Sequence, residues 1–233
     1  MWIENLERRC LFSVTVNETS PGYYEINGDD SDNAIVVSVS QDDSSFTLDG
    51  NTYTGVNYIY VYGHGGNDII QVLAQAPGDI GASIDGGDGA DQLSLNFDGG
   101  VWGGEGNDVI TLADSFEGNV SGDAGDDRIT VQGECVDAQI LGGDGNDYID
   151  ASQNNYRVVL QGGEGDDTIY GSQYNDQIYG DGGNNHLYGL GGNDTFYCQN
   201  GSPDDVDGGE GTNFMYADAI EGQVTNISYV FYG

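Results

Sequence analysis

Residues 103–111 read GGEGNDVIT. Three glycines and an Asn-Asp pair precede an aliphatic at position eight of the nine. The same nine-residue frame starts at Gly63, Gly86, Gly103, Gly122, Gly142, Gly162, Gly171, Gly180, Gly189 and Gly208. Position four is Gly in every unit but the one with Tyr174. Position six is Asp68, Asp91, Asp108, Asp127, Asp147, Asp167, Asp176 and Asp194, with Asn185 and Asn213 in the remaining units. Position eight is apolar throughout: Ile70, Leu93, Ile110, Ile129, Ile149, Ile169, Ile178, Leu187, Phe196 and Met215.

A fixed period this short is the mark of a solenoid, in which each repeat buries its apolar face only by stacking on its neighbours. Six residues of each unit are predicted to turn and three to form a strand, position eight facing inward. The glycines permit tight turns and leave carbonyls accessible. Asn or Asp at position five is read as a residue that tolerates left-handed geometry. Between Gly86 and Gly162 the units recur every 17 to 20 residues, with Ile84, Val101, Val120, Ile140 and Leu160 two before the next glycine. Each coil there is predicted to have two strands and two turns, one turn carrying the motif. From Gly162 to Gly189 the spacing falls to nine, so both turns carry it. Coils ~4.8 Å apart would place the position-six aspartates in a row along one edge, with a shorter row of Asp176 and Asp194 opposite.

The motif GGxGxDxUx resembles the repeats-in-toxin, or hemolysin-type calcium-binding, nonapeptide repeats over residues 61–217. The resemblance implies an all-β fold, a right-handed parallel β-roll or β-helix solenoid with several Ca²⁺ ions between stacked turns. Each ion would take position-six carboxylates from two turns and carbonyls of the glycine-rich loops. The implied ligand set is Asp68, Asp91, Asp108, Asp127, Asp147, Asp167, Asp176 and Asp194, with Gly86, Gly103, Gly106, Gly142, Gly145, Gly162, Gly165 and Gly189. Sites at Asn185 and Asn213 would lose a charge.

Charge points the same way. Of the 233 residues, 40 are acidic and 4 basic, a formal charge of −36. Nucleic acid and anionic membranes are excluded as partners, since both demand basic patches. Unit charges ~4.8 Å apart repel by ~3–4 kcal/mol at an effective dielectric of 20, so an empty row of aspartates would not hold. A hard cation that takes six to eight oxygens at flexible geometry suits the row, and calcium fits better than Mg²⁺. Zinc lacks its Cys/His cluster.

The remainder divides into a leader at 1–12, an N-terminal β cap at 13–60 and a C-terminal cap at 218–233. Leu6, Glu7, Arg9, Leu11 and Ser13 resemble the Leu-Glu-x-Arg-x-Leu-x-Ser leader of some bacterial surface proteins. Residues 28–36, GDDSDNAIV, read as a decayed repeat with Asn33 in the place of Asp and Ile35 inward. QDDSSFTLDGNTYTG reads as an inserted hairpin, and TNISYVFYG as closing the last coil. Cys10, Cys135 and Cys198 read as thiols, two of them half-buried spacers, and His64 and His186 as surface residues. Tyr170, Tyr179, Tyr188, Tyr197 and Tyr216, all at position nine, would face outward and stack across strands; their other reading is a platform for glycans or surface proteins. No run of 18 apolar residues is present, so no membrane insertion is expected. The function expected is a secreted or cell-surface calcium-binding solenoid with a structural or adhesive role and no catalytic residues. The alternatives are a polysaccharide lyase, epimerase or hydrolase, and an ice-binding solenoid. The first is weakened by scarce His and Arg, and the second by an acidic, irregular position three in place of Thr.

Overall fold

The computed structural model describes residues 14–42, 44–74, 80–113, 116–136, 138–218 and 222–233. The leader motif and Cys10 lie outside these residues. Two twelve-stranded sheets face each other, and the chain alternates between them. Successive coils add strands in parallel, as in Tyr58–Gly65, Gly81–Asp88 and Gly99–Glu105 on one sheet. Ile69–Ala74, Gln92–Leu95 and Val109–Leu112 do the same on the other.

Register follows from the apolar frame. On one sheet Val61, Ile84, Val101, Val120, Ile140, Leu160, Ile178, Phe196, Met215 and Val230 are paired in line. On the other, Ile35, Ile70, Leu93, Ile110, Ile129, Ile149, Ile169, Leu187, Val206 and Val224 form the matching column. The two columns meet in a core that is buried from Ile26 to Met215. A one-residue slip would turn a whole column to solvent, so the alternation fixes the pairing.

Strands are longer than the three residues expected. Gly99–Glu105 and Gly118–Ala124 run through the first three motif positions before the turn begins. The turns of the motif-free half-coils are filled by side chains instead of charges. Phe97, Phe116, Ala138 and Val158 are buried along that edge. Cys135 and Cys198 are fully buried rather than half-buried, because both point into the stack.

At the N-terminal end, Thr15–Ser20 pairs antiparallel with Tyr23–Asn27, with a register shift between Glu18 and Ser20. Ser45–Leu48 and Asn51–Thr54 form an antiparallel hairpin laid against Ala34–Val39. Phe46 is buried there, stacked on Tyr53 at 4.7 Å and edge-on to Tyr24 at 5.3 Å. At the other end, Tyr229–Tyr232 pairs with Phe214–Ala217, and its four residues are all exposed. The stretch TNISYVFYG thus adds one more strand to the stack.

Phe116 fills a turn that lacks the motif, with the neighbouring Glu117 exposed. Phe116→Ala is expected to cost ~3–5 kcal/mol through the cavity left behind, read as a lower denaturation midpoint at saturating calcium.

Candidate metal centre

Position six is where the turn enters the following strand, and its side chain points into the stack. Asp68, Asp91, Asp108, Asp127, Asp147 and Asp167 are all at most 2% exposed. One carboxylate oxygen of each is spent on the backbone. The N–H of Asp68 donates to Asp91 Oδ1 at 2.7 Å, that of Asp91 to Asp108 at 2.8 Å, and that of Asp108 to Asp127 at 2.7 Å. Asp127 and Asp147 donate to the next turn's carboxylate at 2.8 Å each. The ladder begins at Asn33, whose N–H donates to Asp68 Oδ1 at 2.7 Å. It continues past Asp167 through Asn185 to Asp204, at 2.9 Å per step. Asp204 was not in the sequence-derived set, because its turn begins with Gln199 in place of Gly. The signal present was an Asp two residues before the inward Val206.

The other oxygen has nothing. Oδ2 of Asp68, Asp91, Asp108, Asp127, Asp147, Asp167 and Asp194 is buried without a hydrogen-bond partner. Position-one glycine is required for this arrangement. A Cβ on Gly86 would collide with Asp91 Oδ2 and with the carbonyl oxygen of Gly103, and Gly103, Gly122 and Gly142 repeat the pattern. The free carboxylate oxygen and the next turn's carbonyl therefore converge beside each glycine. Positions two and four are the ones in left-handed backbone, for example Gly104 at φ 106° and Gly106 at φ 123°.

Position five does something other than expected. Its residues are absent from the left-handed set; its side chain ties one turn to the next on the exposed rim. The N–H of Asn146 donates to Asp126 Oδ1 at 2.8 Å, that of Asp166 to Asn146 at 2.9 Å, and that of Asn184 to Asp166 at 2.8 Å. This outer ladder donates back along the chain, whereas the position-six ladder donates forward. The motif turns are thus stitched to their neighbours, and from Asp68 to Asp167 the inner stitch leaves an oxygen over.

The shorter row lies on the opposite edge. The N–H of Val158 donates to Asp176 Oδ1, that of Asp176 to Asp194 and that of Asp194 to Asn213, each at 2.9 Å. Asp176 differs from the rest. Its Oδ2 accepts from the N–H and hydroxyl of Ser172 at 2.5 and 2.9 Å, in the turn where Tyr174 replaces glycine. It has no oxygen left over, so in this row Asp194 alone keeps an open one.

Burial raises the carboxyl pKa values before any other effect. Asp91 and Asp147 are pushed up to about 6, and Asp108, Asp127, Asp167 and Asp194 to about 7; the backbone donors oppose this. Neighbouring carboxylates add to the rise, as Asp91 does for Asp108. His64 opposes the rise at Asp68. Arg128 sits 4.2 Å over the Tyr148 ring on the outer face. Among the described residues no three Asp, Glu, His or Cys side chains gather into a metal cluster. In most of these turns one buried carboxylate oxygen lacks a partner, and a carbonyl oxygen of the next turn lies beside it at the position-one glycine. A hard cation with flexible, oxygen-rich coordination matches this donor set.

A model of the RTX calcium-binding nonapeptide repeat matches residues 101–115, 139–158 and 161–196. Four copies of that repeat fall within these spans. The matched spans contain the turns opening at Gly103, Gly142, Gly162, Gly171 and Gly180, and the Gly189 turn through Phe196. The turns opening at Gly63, Gly86 and Gly122 lie outside them yet share the same inner ladder. No curated protein and no solved structure matches the chain. The matched repeats imply calcium binding, and the column of Oδ2 atoms without a hydrogen-bond partner runs through the same turns.

Substitution separates the two oxygens. Asp127→Asn keeps an acceptor for the Asp108 N–H, as Asn185 does for Asp167, but removes the anion. It is expected to raise the midpoint of a calcium titration while leaving stability at saturating calcium close to wild type. Asp127→Ala loses both and is expected to cost a further ~1–3 kcal/mol from an unmet buried donor, measured by denaturation. A pH titration in chelator gives a second check. The folded carboxyls titrate near 6 to 7 against 3.8 unfolded, so the folded chain holds more protons. Metal-free stability is therefore expected to be greatest below the unfolded value and to fall as pH rises through about 7. Circular dichroism in chelator across this range reads it.

Proposed function

We propose that this calcium-binding β-roll is a secreted or cell-surface bacterial protein with a structural or adhesive role, and that calcium is the signal for its folding. The observation that supports this most is the column of buried aspartates, each with one unmet oxygen. A fold that creates its own uncompensated anions stands only when a cation arrives. Sites of the extracellular class have dissociation constants of ~10⁻⁴–10⁻³ M. They would be empty at cytosolic calcium and filled outside the cell, where binding free energy becomes folding free energy.

The residues that would hold the ions are Asp68, Asp91, Asp108, Asp127, Asp147 and Asp167 on one edge and Asp194 on the other, with carbonyls of the adjacent glycines. Asp176 is the weakest candidate because Ser172 occupies it. Elevated carboxyl pKa values commonly flag catalytic acids, but here those groups are buried out of a glycan's reach, which favours a binding role over a hydrolytic one. The tyrosines at position nine pack on each other: Tyr170 on Tyr188 at 4.7 Å, Tyr179 on Tyr197 at 4.3 Å and Tyr197 on Tyr216 at 5.2 Å. That favours the stacking reading, with their outer faces left for a glycan or protein contact. His64, whose Nε2 donates to Asn27 Oδ1 at 3.3 Å, and His186, 3.5 Å from Asp205 Oδ2, sit on the surface.

Calcium removal tests the proposal. Chelation at neutral pH is expected to abolish the β signal in circular dichroism, and calcium, not magnesium at equal concentration, to restore it in one cooperative step. A spectrum unchanged by excess chelator would refute it.

A further inference from the structure

The outer face of one sheet carries an aromatic residue that neither the metal column nor the tyrosine stack uses. In Gly99–Glu105 the neighbours Val101 and Gly103 are buried, so Trp102 points outward and is 39% exposed. The benzene half of its indole lies over Gly100, where an added Cβ would strike the ring carbons. Gly100 is buried beneath it. The indole is thus laid along the sheet and keeps an exposed surface. Beyond it the outward residues form two rows in register. Ser121, Leu141 and Gln161 follow Trp102, and Asn119, Gln139 and Val159 follow Gly100. Trp102, Asn119, Ser121, Asp123, Gln139 and Gln161 line a cavity of about 400 Å³. From Trp102 to Gln161 it crosses three strand spacings, ~14 Å at ~4.8 Å each, and its volume is that of a small-molecule site.

The lining selects the occupant. The indole face is electron-rich and suits the weakly positive C–H face of a sugar ring. Leu141 and Val159 add apolar floor. The amides of Asn119, Gln139 and Gln161 both donate and accept, as neighbouring sugar hydroxyls require. Among the described residues no cationic side chain lines the cavity, whereas Asp123 does, and Asp85 pairs with Trp102 on the adjacent strand. Asp123 is steadied by the Ser121 hydroxyl, which donates to its Oδ1 at 2.6 Å. Carboxylates accept from hydroxyls and repel phosphate, sulfate and carboxylate groups. These strands also lie inside the sheet, with a neighbour on each side, so a peptide cannot join them as a further strand. We propose that this trough binds a neutral glycan chain, with Trp102 as the platform for one sugar ring and Asn119, Gln139 and Gln161 as hydroxyl partners. Such a site gives a ligand class to the adhesive role inferred above, on which it rests.

Calorimetric titration of the full chain in millimolar calcium tests this, with neutral hexasaccharides of glucose, mannose and xylose and one sulfated hexasaccharide as probes. At least one neutral probe is expected to bind saturably, and the sulfated one is not. Trp2 and Trp102 are the two tryptophans. In a Trp2→Phe chain the emission therefore reports Trp102 alone, and it is expected to shift to the blue as the sugar covers the ring. Trp102→Ala is expected to weaken binding about tenfold or more, as loss of a central aromatic contact does, and Gln139→Ala by a smaller factor. The β spectrum and calcium midpoint of both variants are expected to match wild type, which separates loss of this site from failure of calcium-driven folding. Tyr174→Ala, at an exposed turn elsewhere, is expected to bind as wild type does. A folded, calcium-loaded chain that binds none of the neutral probes would overturn the proposal. So would undiminished affinity in Trp102→Ala or a preference for the sulfated probe. Should Trp102→Ala not fold, the emission and Gln139→Ala decide, and binding without a shift in the one or a loss in the other overturns it.

Discussion

One unmet carboxylate oxygen per turn is the constraint on which this structure rests. Each position-six aspartate is held in place because its Oδ1 accepts the N–H of the preceding turn's aspartate. The same bond pins the second oxygen in a buried place with no donor. Stacking therefore builds a column of like charges as surely as it builds a hydrophobic core. Protons or a metal must neutralise the column, and protons leave it as pH rises through about 7.

The glycines are the counterpart of that column. Position one must be Gly because the aspartate's free oxygen occupies the space of a side chain. Positions two and four must turn in left-handed backbone, though His64, Asp123, Asp181 and Leu190 show that position two tolerates other residues. Where the motif is absent, Phe97 and Phe116 fill the turn with apolar volume. The chain thus uses two kinds of turn, one lined by a buried carboxylate and one by apolar side chains. In the C-terminal coils the cation-type motif occupies both edges.

Much of this was legible in the residues. The apolar frame predicted both inward columns, since a period of one coil leaves no other register. The rows of aspartates and their division between two edges followed from the change of spacing at Gly162. Other features were hidden because they depend on partners from the next coil. Position five was read as a backbone-conformation choice and is instead a lateral hydrogen bond. Asp204 was masked by the loss of its glycines, and the occupation of Asp176 by Ser172 is a contact within one turn that the motif does not encode.

The most direct measurement is an anomalous difference map from crystals grown in calcium. The account expects peaks in a line beside Asp68 through Asp167, spaced by one coil, and none in the turns filled by Phe97 and Phe116. A map with no peak beside the aspartate column, in a chain folded as described, would contradict it.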